Sequence, residues 1–441
     1  MLKSIQQITA KNAIKRKDVD SLKTVYLFFA ASRYWTDPQA LTAAYKALLE
    51  RISPSEAALI VDENGMDALP FGDCLVVVPM SGAVQKYILD AAVHYAHTVI
   101  YAAYVRGNAA DGVTSEMLRC NTAPTVMDTW AVLKRTKPGT YLAVSLAEVD
   151  RALQVLRAYT AIRGAKLLKI GETEPWVISN SPDPTDYQTR FGVEIERVPQ
   201  SEVAARYRSM TDQDGQPYYD FFTANAQKWV EPNEQDLRNA CRMASALVQT
   251  MEAHHAQGCA IACFNLLQEG TNMCLGVSFI NDCTDMLAAC ECDMDSALTM
   301  LMMKHLTKTH LWMANPGLQP DGTVNFSHCT APIHACGGQA LPCTLRNHHE
   351  SGIGVSLQID LPVGQAVTAC RLSDRASKIT IQHGVSVCGA YECACRTQMH
   401  VRFDDPDHYL RTALGCHQVF AFEDIVWQMN ELSHLFGLTV L

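Results

Sequence analysis

The stretch "DCLVVVPMSGAVQKYILDAAVHYAHTVIYAAYV", residues 73–105, constrains the fold more than any other part of the chain. It reads as an apolar run, a loop containing Ser81 and Gly82, a helical segment and a second apolar run. Neither run alternates polar with apolar residues, so both faces of each strand are buried. Two such strands joined by a helix pair in parallel, which makes a βαβ unit and a sheet with helices on both sides. The loop "PMSGAVQ" precedes a helix N-terminus, where an anion can be held. No dinucleotide or phosphate-loop fingerprint accompanies it.

The pattern returns in "AKLLKIGETEPWVISNSPDPTDYQTRFGVEIERVPQSEV", residues 165–203, as strand, loop, helix and strand. A long helix from about Glu234 to Gln257 follows, then the strand "GCAIACFNLL" and the segment "CLGVSFINDC". From about residue 310 the texture changes. "TVNFSHCTAPI", "GIGVSLQIDLP", "GQAVTACRLS", "KITIQHGVSV" and "MHVRFDD" are short segments divided by Gly, Pro and Asp, the mark of antiparallel strands in a barrel or sandwich. A helix, "EDIVWQMNELSHLFGL", ends the chain. The expected architecture is two doubly wound α/β domains, residues 1–158 and 159–309, followed by an antiparallel β-barrel-like domain, residues 310–441.

Composition excludes several function classes. A net charge of −10 argues against a nucleic-acid surface, and the basic "KNAIKRKD" is a solvated face. No apolar run approaches the roughly 20 residues of a membrane span. The opening "MLKSIQQITAKNAIKRKD" lacks the apolar core of a secretory signal, so a cytoplasmic protein is expected. Its 17 cysteines are then mostly reduced. The pairs Cys290/Cys292 and Cys393/Cys395 are C-x-C, without the two-residue gap of a zinc knuckle.

One segment carries charge where none is cheap. In "MLAACECDMDSALTMLMMKHL", residues 286–306, Glu291, Asp293 and Asp295 fall between a buried strand and a helical repeat. One acid caps a helix, and the excess points to a cation site at a sheet edge, where ligands of α/β folds collect. Imidazoles are available at predicted strand edges: His328 in "NFSHCTAP", His348 and His349 beside Glu350 in "RNHHESG", and His417 in "LGCHQVF". Carboxylates with one or two imidazoles suit Mn²⁺, Co²⁺ or Mg²⁺.

Residues 160–441 resemble the L-fucose/L-arabinose isomerase family, and "NFSHCTAP" and "HHESGIGVSLQIDLPVGQAVTACRL" are closest to its fucose isomerase-related branch. "ACECDMDSALTMLMMKHLTKT" is similar to the family segment that supplies a metal-binding aspartate, which implies Asp293. "LGCHQVFAFEDIVWQMNELSHLFGL" is similar to the segment that supplies a metal-binding histidine, which implies His417. The family's second metal carboxylate, a Glu, aligns with Val277; Glu269 fits only with a shifted alignment, and Glu291 stands two residues from Asp293. The resemblance implies a metal-dependent aldose–ketose isomerase with Glu291, Asp293 and His417 on the metal. Glu291 or His328 then moves an enediol proton, and His348, His349 and Glu350 bind sugar hydroxyls. It also implies a homotrimer or hexamer, with Ser81 contributing to a sugar site. A sugar epimerase on the same scaffold and a non-catalytic sugar-binding or regulatory homologue are the alternatives. Asp293 is read as lying at a strand end outside any core.

Overall fold

A computed structural model describes residues 22–31, 35, 37–104, 116–180 and 183–441. The N-terminal stretch read for a signal segment and a basic cluster lies outside them. Two compact units form, one from residues 17–160 and one built on residues 161–441.

The first unit holds a five-stranded parallel sheet: β1 (Thr24–Phe29), β2 (Ala57–Ile60), β3 (Cys74–Pro79), β4 (His97–Tyr101) and β5 (Thr140–Ala143), in the order β2-β1-β3-β4-β5. The βαβ segment is present as β3, the helix Gln85–Ala92 and β4. Strand order reverses between β1 and β3, the switch point of a doubly wound fold. Ser81 sits there, fully buried, accepting from Ala31 N–H at 2.7 Å and donating to Gly82 C=O at 2.9 Å.

In the second unit β6 (Lys166–Ile170), β7 (Glu194–Val198), β8 (Ala226–Trp229), β9 (Gly258–Ile261) and β10 (Leu287–Ala289) come first. All but β8 form a parallel sheet in the order β10-β9-β6-β7. Turn chemistry in the sequence explains its connections. Asp183 caps the helix Pro184–Phe191 through Thr185 N–H, and Gly192 ends it in the left-handed region.

Strands β11 (Trp312–Leu318), β12 (Val324–His328), β13 (Cys343–Arg346), β14 (Ser356–Ile359), β15 (Ala366–Ser373), β16 (Lys378–Val387), β17 (Thr397–Phe403), β18 (Gln418–Ala421) and β19 (Thr439–Val440) follow. Six of them close an antiparallel barrel in the order β15-β18-β11-β12-β17-β16, with β16 returning to β15, and β19 adds parallel to β16. Closure removes exposed strand edges. Phe326, against Phe420 at 4.6 Å and Phe403 at 5.9 Å, packs its core. β13 and β14 leave the barrel. They form a small sheet with β8, which pairs in parallel with β13, so the second α/β segment and the β-rich segment share a sheet.

"CLGVSFINDC" is the buried helix Cys274–Cys283, and Val277 is core. The helix Met294–Lys304 packs against β15, where Leu372 N–H donates to Thr299 Oγ1 at 3.0 Å. No helix among the described residues is long and apolar enough to cross a membrane. Cys74 and the cysteines from Cys241 onward are all free thiols.

Gly258 shows how tightly the second sheet closes. A Cβ there would lie 2.5 Å from Leu287 Cδ1 and 2.8 Å from Leu167 Cδ2, on both flanking strands. Gly258→Ala should therefore cost about 1–3 kcal/mol through overpacking, read as a lower urea midpoint. An unchanged midpoint would mean the sheet adjusts freely at this position.

Candidate metal centre

Three chain segments meet at the carboxyl edge of the second parallel sheet. β10 ends at Ala289, and the chain turns through Glu291 and Cys292, which have φ of 59° and 51°. Two successive non-glycine residues in the left-handed region cost of order 1–3 kcal/mol each and persist only where their surroundings hold them. Cys292 N–H donates to Ile261 C=O at 2.9 Å, and Thr173 Oγ1 donates to Cys292 C=O at 3.1 Å. Glu174 N–H donates to Glu291 C=O at 3.1 Å. The ends of β6, β9 and β10 are thus knitted round this turn.

The three acids of this segment have three separate jobs. Asp295 is fully buried and accepts from Tyr187 Oη at 2.9 Å. Asp293 caps the helix Met294–Lys304, accepting from Ser296 N–H at 3.0 Å, and pairs with Arg371 of β15. Both members of that ion pair are 0% exposed. Glu291 meets two imidazoles of the barrel, His328 at the end of β12 and His417 just before β18.

Glu291 Oε1 stands 3.4 Å from His417 Nε2 and 3.8 Å from His328 Nε2. One ligand atom from each of the three lies within 4.8 Å of the others, and all three residues are buried. Two donors on one four-coordinate ion, each about 2.1 Å away, stand about 3.4 Å apart, so the spacing suits a shared cation. The imidazoles are already oriented. His417 Nδ1 lies 2.7 Å from Asp293 Oδ2, and an ionised carboxylate only accepts, so Nδ1 carries a proton and Nε2 is the nitrogen turned to Glu291. That Nε2 is buried and makes no hydrogen bond. His328 Nδ1 is held by Thr330 Oγ1 at 2.9 Å, which likewise directs Nε2 at Glu291. A carboxylate behind an imidazole that faces the ion is the usual outer support of a metal site.

The electrostatics agree. Burial opposes charge on Glu291, but His328 and His417 outweigh it and hold its carboxyl far below the usual range. Burial likewise opposes charge on Asp293, and Arg371 and His417 outweigh it. His417 is the converse: burial works against its proton, yet Asp293, Cys416 and Glu291 raise its pKa well above the ordinary value. The space between Glu291 and His417 favours positive charge, from a proton or a metal ion.

The other sequence candidates fall elsewhere. Asp293 is outside the three-residue group and stands behind His417. The reading that it lies outside a core is overturned, because β15 brings Arg371 over it and excludes solvent. Glu269 closes a surface pair with Arg208 at 2.5 and 2.9 Å, away from the group. His348 is buried; its Nδ1 contacts Ser351 Oγ at 3.0 Å, and its ring meets Phe264 at 5.7 Å. Burial lowers its pKa, and His328 and Glu350 both act on it electrostatically. His349 is half-buried and Glu350 exposed on the same turn. Ser81 belongs to the other unit.

Sequence reasoning missed three residues. Arg371 was legible as a lone charge inside the apolar "AVTACRLS". Glu174, 6% exposed, accepts from Phe264 N–H at 3.3 Å. Burial raises its pKa, Phe264 N–H lowers it, and the charge of Glu291 raises it further. Trp176 Nε1 donates to Glu291 Oε2 at 2.6 Å. Nothing in the local sequence marks the last two, since their partner is 115 or more residues away in the chain. No protein-family model matches the chain, and no curated protein does.

Two outcomes follow from the buried pair. Arg371→Met should cost about 3–5 kcal/mol, because it takes the guanidinium from a carboxylate held out of water and leaves it only His417 and Ser296; retention of the parent's thermal midpoint would contradict this. Asp293 and Glu291 have folded pKa values below their unfolded values of about 4. Their contribution to stability is therefore complete above about pH 4 and is lost as pH falls through the folded values. Arg371→Met should accordingly move the acid-unfolding midpoint to higher pH.

Proposed function

We propose that this chain is a metal-dependent enzyme that moves a proton between adjacent carbons of a small polyhydroxylated substrate, an aldose–ketose isomerase of the L-fucose isomerase type. One observation carries the reading: Glu291, His328 and His417 converge from a sheet edge and two barrel strand ends, with His417 Nε2, which makes no hydrogen bond, 3.4 Å from the Glu291 carboxylate. The layout of two parallel sheets and a closed barrel, which the pattern of apolar runs and breakers predicts, brings these three residues onto one edge.

Two imidazoles and a carboxylate suit Mn²⁺ or Co²⁺ better than Mg²⁺, which prefers oxygen donors. Held by these three residues, the ion supplies Lewis acidity to the substrate oxygens. Asp293 fixes the His417 tautomer, and Thr330 orients His328. With Glu291 and His328 both engaged on the cation, proton transfer between C1 and C2 falls to Glu174, the other buried carboxylate beside the turn. His348 offers its Nε2–H to a substrate hydroxyl, because Ser351 N–H points at its Nδ1 at 3.3 Å. A homotrimer or hexamer, as the resemblance implies, belongs to the same proposal.

A second reading has an observation of its own. The residue that aligns with the family's metal aspartate is neutralised by Arg371. A chain that binds the cation and the sugar without turnover would tolerate that change.

The test begins with metal. His417→Ala should weaken Mn²⁺ or Co²⁺ binding about 10-fold or more, equivalent to about 1.4 kcal/mol. The metal-induced rise in thermal midpoint should shrink in that variant and vanish in chelator. Equal shifts in parent and variant would make His417 structural. With a panel of aldoses, Glu174→Gln should lower kcat at least 100-fold while metal affinity holds. Stoichiometric metal without turnover of any aldose would favour the non-catalytic reading.

A further inference from the structure

The two oxygens of Glu291 have different partners. Oε1 faces the two imidazoles, at 3.4 and 3.8 Å. Oε2 receives the indole N–H of Trp176 at 2.6 Å. Trp176 is 51% exposed, and Ile178 beside it is 90% exposed, so the indole is not placed there to fill a core. Its ring meets Phe264 edge-on, with centroids 4.9 Å apart at 81°. An indole on a surface loop usually turns its N–H to water, whereas this one turns it inward to a buried carboxylate.

The choice of donor matters. An arginine or lysine in the same place would neutralise Glu291. The indole N–H is a neutral donor with one hydrogen and no acceptor capacity. It occupies one oxygen and leaves the carboxylate its full negative charge. With Oε2 turned to the indole, Oε1 is the oxygen that faces the imidazoles, so the protein offers two nitrogens and one oxygen. Three such donors with the remaining position open to solvent or substrate form the arrangement typical of catalytic Zn²⁺, which Co²⁺ also accepts. Mn²⁺ and Mg²⁺ favour more donors, and oxygen-rich ones.

We infer that Trp176 is a positioning residue that selects the metal: by holding Oε2 it restricts Glu291 to one donor oxygen and biases the centre toward Zn²⁺ or Co²⁺ over Mn²⁺ and Mg²⁺. The inference rests on the metal centre proposed above, keeps Co²⁺, and moves the preferred metal from Mn²⁺ toward Zn²⁺. A phenylalanine would keep the ring and its contact with Phe264 but lose the N–H. The freed Oε2 would then be able to share the cation and raise its coordination number.

The experiment compares the parent with Trp176→Phe, each loaded with Co²⁺ and each titrated with Zn²⁺ in competition with Mn²⁺. In the parent, Co²⁺ should give the strong visible absorption of a four-coordinate ion; in the variant the bands should weaken as coordination increases. The preference for Zn²⁺ over Mn²⁺ should fall about 10-fold, the scale of one lost hydrogen bond to a charged group. The metal-free melting temperature should fall somewhat, because the buried Oε2 loses its donor, so both proteins are compared well below their melting temperatures. In parallel, the indole N–H of Trp176 in the parent, followed by NMR, should stay hydrogen-bonded when Zn²⁺ is added. Identical Co²⁺ spectra and identical selectivity, or an indole N–H that returns to water on metal loading, would overturn the role of Trp176 and leave the centre standing. Failure of the parent to take up either Zn²⁺ or Co²⁺ would overturn the metal reading itself.

Discussion

The buried pair between Asp293 and Arg371 is the interaction on which the rest of the second unit depends. Both side chains are excluded from solvent, and neither charge is tolerable there alone. Arg371 belongs to barrel strand β15 and Asp293 to the edge of the parallel sheet, so the pair forces the two layers into one register. Ser296 Oγ bonds to both, at 2.7 Å from Arg371 Nη1 and 2.9 Å from Asp293 Oδ2. The helix N-cap, the ion pair and the hydroxyl share one network.

That network also orients the candidate metal centre. Asp293 Oδ2, already facing Arg371, accepts the Nδ1 proton of His417 and thereby sets which nitrogen looks at Glu291. The positive guanidinium on one side keeps Asp293 ionised, and the imidazole on the other passes that polarity toward Glu291. The left-handed turn at Glu291 and Cys292 is the local strain that aims the carboxylate away from its own sheet. Backbone bonds from Glu174 and Cys292 hold it there. Strain of this type collects where a side chain must point in a direction that regular structure does not allow.

The loop between β6 and the helix Pro184–Phe191 closes the arrangement. Thr173, Glu174 and Trp176 all touch the turn, and Asn180 Oδ1 accepts from Asp295 N–H at 3.0 Å. Ser373 Oγ on β15 donates to Ser179 C=O at 2.6 Å, so the same loop also grips the barrel. Gly415, just before His417, has no room for a side chain: a Cβ there would lie 2.4 Å from Ser179 Oγ and 3.1 Å from Arg371 Nε. The lack of a side chain at that position lets the His417 segment reach the centre over the buried arginine.

Fold class, both parallel sheets, most barrel strands and the strand-to-helix handover at residues 286–306 were legible in the sequence. Each rests on a local signal: a run of apolar residues, a period of two or 3.6, a capping Asp, or a breaking Gly or Pro. Glu291, His328 and His417 were legible as candidates for a similar reason, since charge or imidazole at a strand edge stands out against its neighbours. Only the tertiary structure decided which of them meet. Asp293 and Glu291 are two residues apart with the same chemistry, yet Arg371, 78 positions further on, takes one and leaves the other to the imidazoles. The parts of Glu174 and Trp176 were likewise decided by folding. What they touch depends on how loops from distant segments cross a sheet edge, and that geometry is set by long-range packing that no local pattern encodes.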